Sequence, residues 1–191
     1  MFSSMREFIM KTILMILIPT LLAVTAMSAQ EGRAKELKIG DRAPDFLLPY
    51  ATKDSVSEDS LKLSSVVGKK NVILAFYPAD WSGGCTKEMC AMRDNFTVLS
   101  DIGAEVIAIS GDYAFSHHEW AKQLNLPFKL ASDHLHKVAR TYNSYNEAYG
   151  WNKRTVYVID KQGKIAYIDL EYKVRDMNSY NKLQEALKKL Q

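Results

Sequence analysis

The sequence predicts an α/β fold in which helices cover both faces of a mixed central β-sheet. The apolar run without polar alternation at residues 71–76 is typical of a strand buried on both faces, and residues 105–110 form a second apolar strand pattern. Helical patterns follow both runs, so strands and helices alternate along the chain. Residues 155–160 and 164–169 form a hairpin pattern across the turn at 161–163. With 191 residues and 47% hydrophobic content, the chain can form one domain with a substantial core.

Residues 1–29 have the pattern of a secretory signal peptide. A short positively charged region precedes the apolar residues 13–27, and small residues follow up to Ala29. The apolar run of about fifteen residues is shorter than the ~20 that span a bilayer. We therefore expect cleavage near Ala29, export to the periplasm or another extracytoplasmic compartment, and a folded domain over residues 30–191.

Two alternatives to this N-terminal interpretation stay open. The segment could remain as an uncleaved membrane anchor, and only in that case would the protein contact a membrane. The start could also be Met10, because Met10 and Lys11 alone would begin an ordinary signal peptide. Both alternatives place the folded domain outside the cytoplasm.

The remaining elements follow from local patterns. A helix begins close to Cys85 and ends near Ser100, with apolar residues at spacings of three and four. Ser116 and Glu119 form a capping-box pattern that opens a helix ending near Leu124. The other predicted elements are an exposed turn at 51–60, a strand at 128–130, a helix at 133–142 and a last amphipathic helix carrying Tyr180, Leu183, Ala186 and Leu187.

Cys85 is placed where a buried strand is followed by a helix. The first turn of a helix offers unpaired backbone N–H groups and the positive end of the helix dipole. Both favour a thiolate over a thiol, so this cysteine is a candidate nucleophile. The alternatives to a nucleophile are that Cys85 is a small buried hydrophobic residue or one half of a structural disulfide.

The spacing to the second cysteine, Cys90, argues against a structural disulfide. Five residues along a helix advance ~7.5 Å and rotate the side chain by ~140°. A disulfide needs Cα atoms within about 7 Å. A bond between the two sulfurs would therefore require the helix to unwind, and the alternative is a buried, free Cys90.

Three residues around Cys85 carry a family resemblance. Pro78, Ser82 and Cys85 form P-x-x-x-S-x-x-C, which resembles the active-site signature of the peroxiredoxins, thiol peroxidases with a thioredoxin-like fold. The position of Cys90 is similar to that in the bacterioferritin-comigratory-type subgroup, whose second cysteine follows five residues after the first. The resemblance covers nearly the whole chain from Ile39 onward.

The resemblance implies a role for each residue of the site. Cys85 would attack a hydrogen peroxide or organic hydroperoxide oxygen and become a sulfenic acid, and Cys90 would resolve it as a disulfide. The alternative is a buried, idle Cys90 with an external thiol as the resolving group. Ser82 would meet the thiolate and the peroxide with its hydroxyl. Arg154 would stabilise the thiolate and the departing oxygen, and Pro78 would limit the access of water.

The same resemblance implies the partners of the reaction. A thioredoxin-like protein or another thiol would serve as reductant, and neither a cofactor nor a metal is expected. The formal net charge of +3 gives no electrostatic footprint for nucleic acid. A homodimer is left open.

Other functions are consistent with parts of the pattern. An exported thioredoxin-like thiol-disulfide oxidoreductase would use C-x-x-C, whereas four residues separate these cysteines. A copper-binding metallochaperone would use two thiolates and a histidine as soft ligands, and would leave Pro78 and Ser82 without a role. A non-catalytic redoxin-like interaction module would require an unreactive Cys85.

Some residues near the signature have ordinary structural interpretations. We expect Tyr77 and Trp81 to pack as core aromatics, and the alternative is that they line a hydrophobic mouth of the site. Glu88 and Arg93 lie on the helix near the Cys85 face and either orient Arg154 or form a solvated charge pair. We expect an ordinary packed loop at 142–151, and the alternative is that this loop shapes substrate entry or a dimer contact. We also expect four surface histidines, His117, His118, His134 and His136.

Overall fold

The computed structural model describes residues 35–96, Leu99 and residues 103–191. Residues 36–191 cluster as one unit by their contacts. The predicted signal peptide at residues 1–29 lies outside the described residues and stays a prediction. Within the described part of the chain, no helix has the length and apolar character needed to cross a membrane.

Strands and helices alternate along the described chain. The strands are β1 (Leu47–Leu48), β2 (Tyr50–Ala51), β3 (Leu61–Lys62), β4 (Asn71–Phe76), β5 (Ala104–Ser110), β6 (Lys129–Ser132), β7 (Tyr145–Asn146), β8 (Trp151–Asn152), β9 (Thr155–Ile159) and β10 (Ile165–Asp169). The helices are α1 (Leu63–Val66), α2 (Gly83–Asp94), α3 (Ala114–Leu124), α4 (Lys137–Thr141) and α5 (Met177–Lys188).

Six of the strands form a mixed sheet in the order β10-β9-β4-β5-β6-β2. The central strands β4, β5 and β6 are parallel, and β9 runs antiparallel to β4. The register pairs Phe76 at the end of β4 with Thr155 at the start of β9. The predicted mixed sheet is confirmed, and this register brings the residues after β4 close to those before β9.

The core lies on both faces of the sheet because alternate residues of β4 point to opposite sides. Ile73 and Ala75 join a cluster with residues of α2, α3 and α5. Val72 and Leu74 join a second cluster with residues of α1 and α4. All residues of β4 are buried, as its unalternating apolar sequence predicts.

Two predicted helix starts are wrong. The capping box at Ser116 does not open α3, which begins at Ala114 with Tyr113 at the N-cap, because the Ser116 hydroxyl donates to Asp80 instead. The helix predicted at 133–142 is only α4, since His136 adopts a left-handed conformation with φ +53° immediately before it.

Two other predicted segments differ in their extent. The helix after Cys85 ends as α2 at Asp94, and its predicted end near Ser100 lies outside the described residues. The sequence predicts an ordinary packed loop at 142–151. Instead, β7 and β8 form a small antiparallel hairpin in which the exposed rings of Tyr149 and Trp151 stack at 5.3 Å.

Candidate active site

The turn between β4 and α2 positions Cys85. Ser82 is the N-cap of α2, and its Oγ accepts a hydrogen bond from the Cys85 backbone N–H at 3.3 Å. The Thr86 hydroxyl donates to the Ser82 carbonyl at 2.9 Å and closes the same turn. Cys85 thus lies in the first turn of the helix, as the sequence predicts, and its side chain is fully buried. The helix dipole therefore acts directly on its sulfur.

Arg154 approaches the same sulfur from the other side of the site. It lies one residue before β9, and its Nη2 donates to Cys85 Sγ at 3.3 Å. Its Nη1 donates to the Glu88 carboxylate, one turn further along α2. Burial lowers the pKa of Arg154, but the neighbouring Glu88 and Cys85 outweigh this and leave that pKa above its usual value. The guanidinium thus stays charged beside the sulfur.

Glu88 is a buried carboxylate that holds Arg154. Burial raises the pKa of Glu88 to about 7, although Arg154 acts in the opposite direction. One oxygen, Oε2, bonds Arg154, whereas the buried Oε1 has no hydrogen-bond partner within the described part of the chain. The choice that the sequence left open for Glu88 is therefore decided, because its partner is Arg154.

The sequence left the same choice open for Arg93, and the outcome differs. Its side chain pairs with Asp94 and donates to the Leu124 carbonyl at 2.7 Å. Among the contacts described for Arg93, neither Glu88 nor Arg154 is a partner. Arg93 thus fastens the end of α2 to the end of α3 rather than shaping the site.

Pro78 and Ser82 both lie in the turn that precedes Cys85. Pro78 is half-buried and follows β4 after one residue. The Ser82 hydroxyl, expected to face the thiolate, contacts the Cys85 backbone amide in this structure. Its observed contact is therefore that of a helix cap that fixes the backbone of Cys85.

Cys90 lies on the same continuous helix as Cys85. Both cysteines are free thiols, with Cys85 buried and Cys90 half-buried. Because α2 is unbroken from Gly83 to Asp94, the two side chains project from it ~140° apart. A bond between the two sulfurs therefore requires the first turns of α2 to unwind.

A basic pocket of about 380 Å³ opens beside Arg154. Four positively charged side chains surround it, and no acidic side chain of the described residues lines it. Its lining residues are Gly84, Lys87, Arg154, Tyr172, Lys173, Val174 and Arg175. The pocket is therefore lined by the same Arg154 guanidinium whose Nη2 contacts Cys85 Sγ.

A buried polar cluster that the sequence does not predict lies beside the turn before α2. His117 was expected at the surface, but it is fully buried with its Nδ1 2.9 Å from Asp80 Oδ2. Trp81 was expected in the core, but it is half-exposed, because its backbone adopts a φ of +62° and its indole N–H donates to Ser116 at 3.1 Å. Tyr77 is buried as predicted. Asp80 lies 36 positions before Ser116 and 37 positions before His117, so no local sequence pattern connects these residues.

Comparison with known proteins identifies close relatives of this sequence. The AhpC/TSA family model matches residues 39–168. A chloroplastic peroxiredoxin Q of Triticum aestivum is 43% identical over 130 residues, which are 68% of this chain and 57% of that protein. The peroxiredoxin bcp of Coxiella burnetii is 38% identical over 144 residues, which are 72% of this chain and 91% of that protein.

Solved structures share the same architecture. The peroxidoxin BcpB of Mycobacterium tuberculosis superposes with a TM-score of 0.70 at 27% identity. The match covers 82% of this chain and 99% of that one. The central mixed sheet and its helices are therefore those of a thioredoxin-fold protein.

Proposed function

The chain belongs to the AhpC/TSA family of peroxiredoxins, and from this premise we propose that it is a thiol-dependent peroxidase. Its substrates are hydrogen peroxide or organic hydroperoxides, and Cys85 is the nucleophile. The observation that carries this proposal is the contact of 3.3 Å between Arg154 Nη2 and Cys85 Sγ at the start of α2. A buried sulfur with a guanidinium and a helix N-terminus directed at it is prepared to react as a thiolate.

The first step transfers one oxygen atom to Cys85. The thiolate attacks the terminal peroxide oxygen, the O–O bond breaks, and the electron pair leaves with the second oxygen. That oxygen takes up a proton and departs as water or an alcohol, while the sulfur becomes a sulfenic acid. Arg154 donates to the sulfur and remains close enough to stabilise negative charge as it develops on the departing oxygen.

The second step uses Cys90 as the resolving thiol. The Cys90 thiolate attacks the sulfenic sulfur, a disulfide forms, and the hydroxyl leaves with a proton as water. Because α2 is intact between the two cysteines, this step follows unwinding of its first turns. A thioredoxin-like dithiol or another thiol then reduces the disulfide and is itself oxidised.

Export completes the proposal. The signal-peptide pattern at residues 1–29 supports a periplasmic or other extracytoplasmic location. In that compartment the reductant would be an exported thiol protein rather than the cytoplasmic thioredoxin pool.

The test is stopped-flow mixing of the reduced protein with hydrogen peroxide. The fluorescence of Trp81 is recorded during the reaction. Trp81 lies four residues before Cys85 in the turn, so we expect its emission to report both oxidation and unwinding. Mass spectrometry should then find a Cys85–Cys90 disulfide in the wild type. Cys90→Ser should stop at the sulfenic acid, and Cys85→Ser should consume no peroxide.

Two results would change this assignment. A Cys85 that does not react with peroxide would overturn the peroxidase proposal. A wild type that reacts but forms no internal disulfide would instead assign resolution to an external thiol.

A further inference from the structure

A buried carboxylate lies beneath the turn that leads to Cys85. Asp80 is 5% exposed, and three side chains bond its two oxygens. The Tyr77 hydroxyl donates to Oδ1 at 2.7 Å, the Ser116 hydroxyl donates to Oδ2 at 2.8 Å, and His117 Nδ1 lies 2.9 Å from Oδ2. Ser116 and His117 both belong to α3. The carboxylate thus fastens the turn at residues 77–82 to a neighbouring helix, and we call Asp80, Ser116 and His117 the latch.

The backbone of the turn is fastened at the same place. Asp80 N–H donates to Asp112 Oδ2 at 2.9 Å, and the Ser110 hydroxyl holds that carboxylate at 2.6 Å. The Trp81 indole N–H donates to Ser116 Oγ at 3.1 Å. Trp81 has a φ of +62°, an unfavourable conformation for a bulky residue that surrounding contacts must maintain.

The histidine of the latch, His117, is hydrogen-bonded through only one of its two ring nitrogens within the described residues. His117 is fully buried, and its Nε2 has no hydrogen-bond partner among residues 35–96, Leu99 and 103–191. An unpaired buried nitrogen is unfavourable. The polar contacts of this side chain are made by Nδ1, with the Asp80 carboxylate at 2.9 Å and with the Tyr77 hydroxyl at 3.3 Å, and they offset that loss.

The latch lies next to the first turns of α2, which must unwind before Cys90 can reach Cys85. Asp80 precedes the N-cap Ser82 by two residues, and Ser82 fixes the Cys85 amide. Unwinding of the first turns of α2 therefore displaces the turn at residues 77–82, which the latch bonds to α3. Bonds that exist only while the turn is in place stabilise the conformation with α2 intact, in which Arg154 touches Cys85.

We propose that Asp80 is a positioning residue for Cys85, and that the latch stabilises the peroxide-reactive conformation against the unwound one in which Cys90 reaches Cys85. This inference rests on the proposed function. The latch sets the balance between the two steps: while it holds, Cys85 reacts with peroxide, and when it opens, the disulfide can form. Asp80 touches neither the sulfur nor the substrate and acts through the turn.

The experiment measures the two steps separately in Asp80 variants. Sulfenic acid formation is followed in a Cys90→Ser background, and disulfide closure is followed after a single pulse of peroxide in the protein that keeps both cysteines. Asp80→Ala should accelerate closure by about tenfold, equivalent to about one buried hydrogen bond, and should slow oxidation. Asp80→Asn keeps the shape and can re-pair with the hydroxyls, so it should rescue most of both rates.

The matched control is Asp133→Asn. Asp133 is also a buried aspartate, but its carboxylate accepts the Ala139 amide of α4 on the other face of the sheet. This variant should lose stability without changing the ratio of the two rates. Ser116→Ala removes a second bond of the latch and should shift the ratio in the same direction as Asp80→Ala.

Hydrogen exchange of the reduced protein provides a readout that does not require peroxide chemistry. Amides at residues 83–88 should exchange about tenfold faster in Asp80→Ala than in Asp133→Asn, because the latch opposes local unwinding. Equal exchange in the two variants, or disulfide closure that is unchanged or slower in Asp80→Ala, would overturn the latch. A wild type that does not react with peroxide would overturn the proposed function, and exchange would still decide whether the latch holds the helix.

Discussion

Arg154 Nη2 donates a hydrogen bond to Cys85 Sγ at 3.3 Å, although 69 positions separate the two residues. The sheet explains their meeting. Thr155 pairs with Phe76 in the antiparallel register of β9 and β4, so the residue before β9 lies beside the turn that follows β4. The same guanidinium bonds Glu88, and these two contacts fix its plane against the first two turns of α2.

Replacing Arg154 by lysine should slow the oxidation of Cys85 by roughly 10- to 100-fold. Lysine keeps the charge but cannot contact Cys85 and Glu88 in one plane, and a hydrogen bond to a charged group contributes about 1.5 to 3 kcal/mol. Stopped-flow fluorescence gives the rate constant. Arg140→Lys is the control, because that arginine forms an exposed pair with Glu147. Equal rates in the two variants would contradict a role for the guanidinium geometry.

The two glycines that begin α2 offer a matched pair of substitutions. A Cβ on Gly84 would lie 2.7 Å from Arg154 Nη2, whereas a Cβ on Gly83 would meet nothing within 4 Å. Gly84→Ala should therefore displace the guanidinium from Cys85 and slow oxidation by roughly tenfold. Gly83→Ala should leave the rate unchanged and stabilise the protein by up to about 1 kcal/mol, since alanine favours helices.

The same two variants can be compared by urea denaturation and by stopped-flow fluorescence. A Gly84→Ala protein that oxidises as fast as Gly83→Ala would show that Arg154 can shift without loss of rate. The contact with Cys85 would then not limit the first step.

Glu88→Gln should remove a pH dependence of stability. Because burial raises the pKa of Glu88 from 4.5 to about 7, the folded protein binds more protons than the unfolded protein between these values. The unfolding free energy due to this group is therefore highest below about pH 4.5 and falls as the pH rises to about 7, by up to roughly 3 kcal/mol. The glutamine variant should lack this fall.

Urea denaturation at about pH 5 and about pH 8 checks this difference. Glu185→Gln on the exposed side of α5 is the control and should keep the wild-type slope. A Glu88→Gln protein with the same slope as the wild type would show that Glu88 is ionised at both pH values.

The basic pocket should favour hydroperoxides that carry a negative charge. Lys173 and Arg175 line it beside Arg154, and positive potential raises the local concentration of anions. A hydroperoxide with a carboxylate should react several-fold more slowly after Lys173→Gln and Arg175→Gln are combined, and more slowly at high salt. A neutral alkyl hydroperoxide of similar size should be unaffected. Lys182→Gln, outside the pocket, is the control, and an equal loss for both substrates would contradict selection by charge.

Sequence patterns predicted well whatever depends on neighbouring residues. The burial of β4 follows from its unbroken apolar run, and the position of Cys85 follows from the change of period between β4 and α2. Errors arose where a distant group competes for a side chain. Ser116 matches a capping box, but its hydroxyl bonds Asp80, which lies 36 positions away. His117 reads as a surface residue, but the same carboxylate accounts for its burial.

The sequence by itself determined the α/β class and the position of Cys85 at a helix start, because both are encoded in short-range period and spacing. Its motif around Cys85 also carried the resemblance to the family to which the chain belongs. The tertiary structure alone decided which charged groups meet. The pairing of β9 with β4 brings Arg154 to Cys85, and the packing of α3 against the turn brings His117 to Asp80. These contacts depend on strand register and helix packing, which join residues that no local pattern connects.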